Sequence, residues 1–234
     1  MGSRRRAVNE LASLPTCRAV LTRRAVAHMR AAHIDLRPLL SRAGITLAQL
    51  DDPDAWITAH NQVAFLNLAA DALGDDCLGL TRATEFDCRD LGLWYYVLAS
   101  SETLGAALER AARYSRIGNE ALVFEYLNGR EPAQRLSYSG VPRHADRHQM
   151  EFCIVAAVRM YRLLTGRQFA PTRVSMVHLR EKSATAFARV LGTEVAFGSE
   201  VDEIVFPSGA AEFPLVVPAE RLRGGRLCSA RLRL

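Results

Sequence analysis

The chain predicts an α+β fold, a single helix-rich domain packed on a small antiparallel or mixed sheet. Three observations carry this. The first half is dominated by stretches whose apolar residues recur every three or four positions and which end at Gly. Short runs rich in β-branched and aromatic residues, ALVFEYL, QRLSYS and TRVSMVHL, are confined to the second half. The 234 residues are 49% hydrophobic, enough for one large core, and no repeat or low-complexity stretch divides them.

Taken in order, residues 1–15 are Arg-rich, end at Pro15 and read as a flexible basic arm. A helical stretch opens at Pro15 or Thr16 and runs toward Ala32, with Val20, Ala27 and Met29 among its apolar positions. Pro38–Arg42 predicts a short helix stopped by Gly44, and Ile45–Leu50 another turn. Together these have the outline of a helix-turn-helix. The reading helix would lead into Asp51, Asp52 and Asp54, however, and carboxylates repel phosphate. Two short packing helices are the better account.

Thr58 is placed to cap a helix carrying Val63, Leu66, Ala70 and Leu73, ended by Gly74. A polar connector, residues 85–90, leads into the buried apolar and aromatic run Leu91–Ala99. Ser101 is the expected N-cap of the next helix, where Leu104, Leu108 and Ala111 form one apolar stripe and Arg110, Arg113 and Arg116 face elsewhere. Gly118-Asn119 ends it. ALVFEYL and QRLSYS then form a hairpin across Asn128-Gly129, its loop lengthened by residues 130–133. Ala145–Leu164 is the longest helix; apolar on most of its circumference from Phe152 to Val158, it belongs in the centre and stops at Gly166. After the strand in TRVSMVHL, Ser183 caps a short helix ending at Gly192, and two short strands follow near Glu194–Phe197 and Asp202–Phe206.

Charge and cysteine usage narrow the function. Of the net charge of +5, Arg4–Arg6 contribute +3 and the five arginines of residues 221–234 contribute +5, so residues 7–220 carry −3. A domain binding DNA through its own surface would carry the positive field there. Five cysteines at irregular spacing, an odd number, argue against a disulfide framework and for the cytoplasm. No stretch is apolar enough for a membrane span, and no secretory signal follows the basic N-terminus.

No G-x-S-x-G, Walker, Rossmann, H-E-x-x-H or C-x-x-C pattern is present. His144, His148 and Glu151 share a helical face and are atom types a divalent metal accepts. His144 precedes the helix and no further ligand is identifiable, so neither a metal nor any other cofactor is expected. The same face, extended by Arg159, would instead hold a polar ligand group inside a mostly apolar pocket. Trp94, Tyr95 and Tyr96 supply apolar area with hydroxyl and indole donors, and Tyr114, Arg116 and Asn119 close the following helix toward the same cavity.

The stretch Leu91–Tyr126, an LG-aromatic run followed by Ser-Ser-x-Thr-Leu and a helix ending in an Arg-Tyr pair, resembles the "arabinose-binding-like" N-terminal sensor domain of AraC-type transcription regulators. AGITLAQLDDPDAWIT, AADALGDDCLGL, PTRVSMVHL and LGTEVAFGSEVDEIVF extend the resemblance over roughly residues 17–217. It implies a bacterial, cytoplasmic, non-enzymatic sensing domain, residues 16–217, of a transcription activator. Its partner is a small-molecule effector, and DNA is bound only through a C-terminal helix-turn-helix domain absent from this chain; a homodimer is a candidate assembly. RGGRLCSARLRL does not resemble the expected continuation, and residues 218–234 read as an Arg-rich disordered tail. Two further readings stand beside this one: a small-molecule enzyme with His148 or Glu151 as general base, and a ligand-free dimerisation module.

Overall fold

The computed structural model describes residues 14–216. Most of the basic arm and the whole of the Arg-rich tail lie outside the described residues. Pro15 lies inside them, its carbonyl accepting from the Ala59 N–H at 2.9 Å. The architecture is α+β, as predicted: nine α-helices among the described residues, a two-stranded ribbon and a five-stranded mixed sheet.

The ribbon pairs β1 (Thr16–Arg18) with β2 (Trp56–Thr58) in antiparallel register. Between these strands lie α1 (Val20–Ala31), α2 (Arg37–Ala43) and α3 (Leu47–Asp51). The helix-turn-helix outline resolves into two short packing helices. Gly44 adopts the left-handed conformation that ends α2, and Thr46 and Gln49 close a reciprocal capping box on α3. Thr58 caps α4 (Ala59–Leu73) by accepting from the Asn61 N–H, and left-handed Gly74 ends it. After α5 (Leu78–Glu85), the aromatic run forms a 3-10 turn (Cys88–Leu91) and α6 (Leu93–Ala99). Its burial is uneven: Tyr95 is buried, Trp94 and Tyr96 are partly so, and Leu93 is half exposed. Next come α7 (Leu104–Tyr114), a 3-10 turn (Ser115–Ile117) and the hairpin of β3 (Leu122–Leu127) and β4 (Ala133–Tyr138).

The central α8 (Arg147–Thr165) is followed by β5 (Arg173–Met176), α9 (Ala184–Leu191), β6 (Val195–Phe197) and β7 (Asp202–Val205). The sheet order is β3-β4-β7-β5-β6, antiparallel except for the β5–β6 pair. Alternation sorts its faces. Phe124, Leu136, Ile204 and Val174 point to the core, while Glu125, Arg135 and Glu203 align on the opposite face. There Glu203 is clamped by Arg135 and Arg173 at 2.9 and 2.8 Å.

Helix α8 runs through the centre, and its Ile154, Val155, Val158, Met160 and Tyr161 are fully buried. It lies so close to α5 that a Cβ on Gly79 would stand 2.3 Å from the His148 carbonyl oxygen. Only glycine permits that approach.

Three local expectations are corrected. Thr16 opens a strand rather than a helix, because residues 16–18 find long-range partners in β2. The cap of α7 is Thr103, which accepts from the Ala106 N–H, and not Ser101, whose hydroxyl is buried without a partner among the described residues. Ser183 precedes α9 in a left-handed conformation and makes no side-chain cap bond.

Candidate functional site

A cavity of about 120 Å³ lies between the ribbon, α6, the turn into β3, and the middle of α8. Its apolar walls come from Phe86, Leu91, Trp94, Leu122, Phe124, Phe152, Ala156 and Ala157. Trp94 stacks on Phe124, centroids 5.7 Å apart, and Phe86 meets Phe152 edge-on at 5.2 Å. The alanines sit on the central helix where larger residues would fill the space.

Four polar residues join this wall besides Trp94 and Cys153: Arg18, Gln62, Ser115 and Asn119. Two are already tied to protein partners. The Gln62 amide accepts from Thr22 Oγ1 at 3.1 Å and donates to Gln149 Oε1 at 2.8 Å, and Gln149 in turn donates to Cys153 Sγ at 3.2 Å. Asn119 accepts from the Ala121 N–H and donates to the Tyr138 hydroxyl. Burial pushes the Cys153 thiol up to about 12, so it offers no thiolate nucleophile. Trp94 Nε1 and Arg18 Nε are both buried and have no partner among the described residues, although a terminal nitrogen of Arg18 pairs with Asp54 near the surface. Buried donors without acceptors are uncommon and costly, and a site that will receive an acceptor is one physical reason to keep them.

The residues anticipated from the sequence divide among several places. Trp94 and Asn119 line the cavity. Tyr95 and Tyr96 pack edge-on against each other, Tyr114 lies under the Arg113 guanidinium, and Arg116 is exposed; none of these four is in the wall. Arg159 donates to the Ala83 and Phe86 carbonyls and closes the end of α5. His148 and Glu151 belong to a separate buried cluster, and His144 is exposed in the turn before α8. Among the described residues, no group of three or more His, Cys, Asp or Glu could hold a metal ion.

In that cluster Glu151 Oε1 accepts from His178 Nε2 at 3.0 Å and from Arg180 Nε at 3.1 Å. Its other oxygen is 3.7 Å from His148 Nδ1, too far for a hydrogen bond. Burial pushes the carboxyl up, but the neighbouring His148 ring, the His178 bond and the Arg180 guanidinium outweigh it and hold the group down at about 2. Arg180 also reaches the Asp76 carboxylate and carbonyl at 2.8 and 2.9 Å, tying the loop after β5 to the start of α5. Neither His148 nor Glu151 lines the cavity. A second, more open hollow of about 820 Å³ lies by β3, β4 and β7; both of its arginines are already paired, Arg143 with Asp146 and Asp202 and Arg135 with Glu203, while Glu125 and Glu200 add negative charge to its lining.

Sequence reasoning missed Arg18, Gln62 and Ser115. Arg18 sits in a three-residue strand with no local signature, and the hydrogen bond from its N–H to the Gly118 carbonyl, which brings it to the cavity, spans 100 positions of sequence.

The profile describing the arabinose-binding domain of AraC transcription regulators, N-terminal, matches residues 34–215. The chain belongs to this family. It is therefore a regulatory domain of the AraC type, and no helix among its described residues is long and apolar enough to cross a membrane. The fold is similar to the crystal structure of the transcriptional regulator CdpR from Pseudomonas aeruginosa, with a TM-score of 0.55 and 16% identity. That alignment covers 77% of this chain and 56% of CdpR, so the chain spans little more than half the length of that regulator. No curated protein sequence matches the chain. Arg18, Val20 and Leu21 of the cavity lie before the matched segment.

Proposed function

We propose that this is the effector-sensing domain of an AraC-type transcription activator working in the cytoplasm, with the cavity beneath Trp94 as its effector site. The carrying observation is the coincidence of an apolar cavity with two buried donors that have no partner among the described residues. The family supports a regulatory role. The cavity wall draws on α6, β1 and α8 at once, so a bound molecule would stabilise one arrangement of these elements over another and bias a DNA-binding domain attached elsewhere. Catalysis by His148 or Glu151 is the weaker reading, since both side chains are at most 1% exposed and Glu151 is held by His178 and Arg180.

The test uses a regulator carrying this domain and its DNA-binding domain, with a promoter reporter. Ala156→Leu projects a larger side chain into the cavity and is expected to reduce the effector-dependent response to the basal level while the melting temperature stays close to that of the parent. Ala157→Leu provides a second obstruction. A full effector response from both folded variants would overturn the assignment of the site.

A further inference from the structure

We infer that the ligand is a small, mostly apolar monocarboxylate, its acidic group held by Arg18 and the Trp94 indole and its body lying against Phe86, Phe124 and Phe152. The inference rests on the reading of this cavity as the effector site.

Size sets the first bound. About 120 Å³ is a little less than the roughly 150 Å³ of a dry protein cavity able to take up benzene, so the space beneath Trp94 is on the scale of a single ring or a short acyl chain. The polar lining sets the second. Gln62 and Asn119 each already donate one hydrogen bond and accept another within the protein, and the buried groups left without a partner among the described residues are both donors, the Nε–H of Arg18 and the indole N–H of Trp94. Those two donors call for an acceptor. A free pentose, which the family's name would bring to mind, carries several hydroxyl groups and little apolar surface for the aromatic wall, and each hydroxyl left buried and unpaired would cost roughly 1–3 kcal/mol.

Charge sets the third. Arg18 is permanently cationic, and a guanidinium can offer a carboxylate two parallel N–H donors. Its present counter-ion, Asp54, is 68% exposed and engages only a terminal nitrogen, on the outward side. The Arg18 side chain is 38% exposed, so it links cavity and solvent. A carboxylate at that position would complete the Arg18 bonds without itself being fully desolvated, and its apolar body would displace water from the aromatic wall. Of the two residues that would hold the acid, Arg18 lies before the stretch matched to the family and Trp94 within it.

Titration calorimetry of the whole chain with benzoate, benzamide and L-arabinose tests this. Benzoate is expected to bind on the order of tenfold tighter than benzamide, with no saturable binding of L-arabinose. Arg18→Met should weaken benzoate on the order of tenfold and leave benzamide within about twofold. Trp94→Phe keeps the ring and removes the N–H, and should weaken benzoate several-fold without loss of fold, which secures the test should Arg18→Met unfold. Benzamide binding as tightly as benzoate, or benzoate indifferent to both substitutions, would overturn the carboxylate assignment while leaving the cavity as the effector site. L-Arabinose binding in competition with benzamide would do the same. Failure of all three compounds to bind would overturn the carboxylate class, and the promoter response of Ala156→Leu decides separately whether the cavity is the site.

Discussion

At the scale of single residues, Glu151 shows how much charge the centre of this domain tolerates. It is fully buried, yet its carboxyl is held at about 2 against an ordinary value of 4.5 because His178, Arg180 and the His148 ring outweigh the cost of burial. The sign of the linkage follows. A carboxyl whose folded value is depressed stabilises the fold above its unfolded value, and that stabilisation drains away as pH falls from about 4.5 to about 2. The titratable groups facing it are His148 on the same helix and His178 and Arg180 beyond β5, with Asp76 and Cys77 from the turn before α5 touching Arg180. Chemical denaturation across this pH range should therefore show a falling acid limb, and Glu151→Gln should flatten it while costing on the order of 3 kcal/mol at neutral pH. An unchanged acid limb in the variant would show that Glu151 does not control it. This cluster was half legible: the helical spacing of His148 and Glu151 marks a shared face, but nothing local places His178 and Arg180, 27 and 29 residues beyond Glu151, against it.

At the scale of elements, the helix starts and the central packing are the parts that sequence chemistry states most directly, and also where it errs by small steps. Ser101 and Thr103 are both plausible caps two residues apart. The chain uses Thr103, because the helix begins at Leu104, and Ser101 is left buried with its hydroxyl unpaired among the described residues. Thr103→Ala should thus cost about 1 kcal/mol, whereas Ser101→Ala, which removes a buried unsatisfied oxygen, should be neutral or mildly stabilising. Equal losses in urea denaturation would contradict that assignment. The α5–α8 contact is stricter. Gly79→Ala forces a Cβ into the His148 carbonyl and should destabilise by about 2 kcal/mol or more, with the Glu151 cluster displaced. By contrast, β1 and β2 were not legible, since three-residue strands carry no period of their own and exist here only through their pairing.

At the scale of the whole molecule, the α+β class, the central helix and the hairpin follow from periodicity and turn chemistry, and the family follows from the chain's order of motifs. The cavity does not. Trp94 and Asn119 stand in its wall, and Arg18, Gln62, Phe86 and Phe152 reach it from elements separated along the chain, so only the assembled fold brings them together. The sensing account stands on that assembly. Its most direct test is native mass spectrometry of the parent chain and of Ala156→Leu, each purified from the host under conditions where the regulator is active. The account predicts a small-molecule adduct on the parent that is absent from the equally folded variant. The same adduct on both proteins, or on neither, would contradict it.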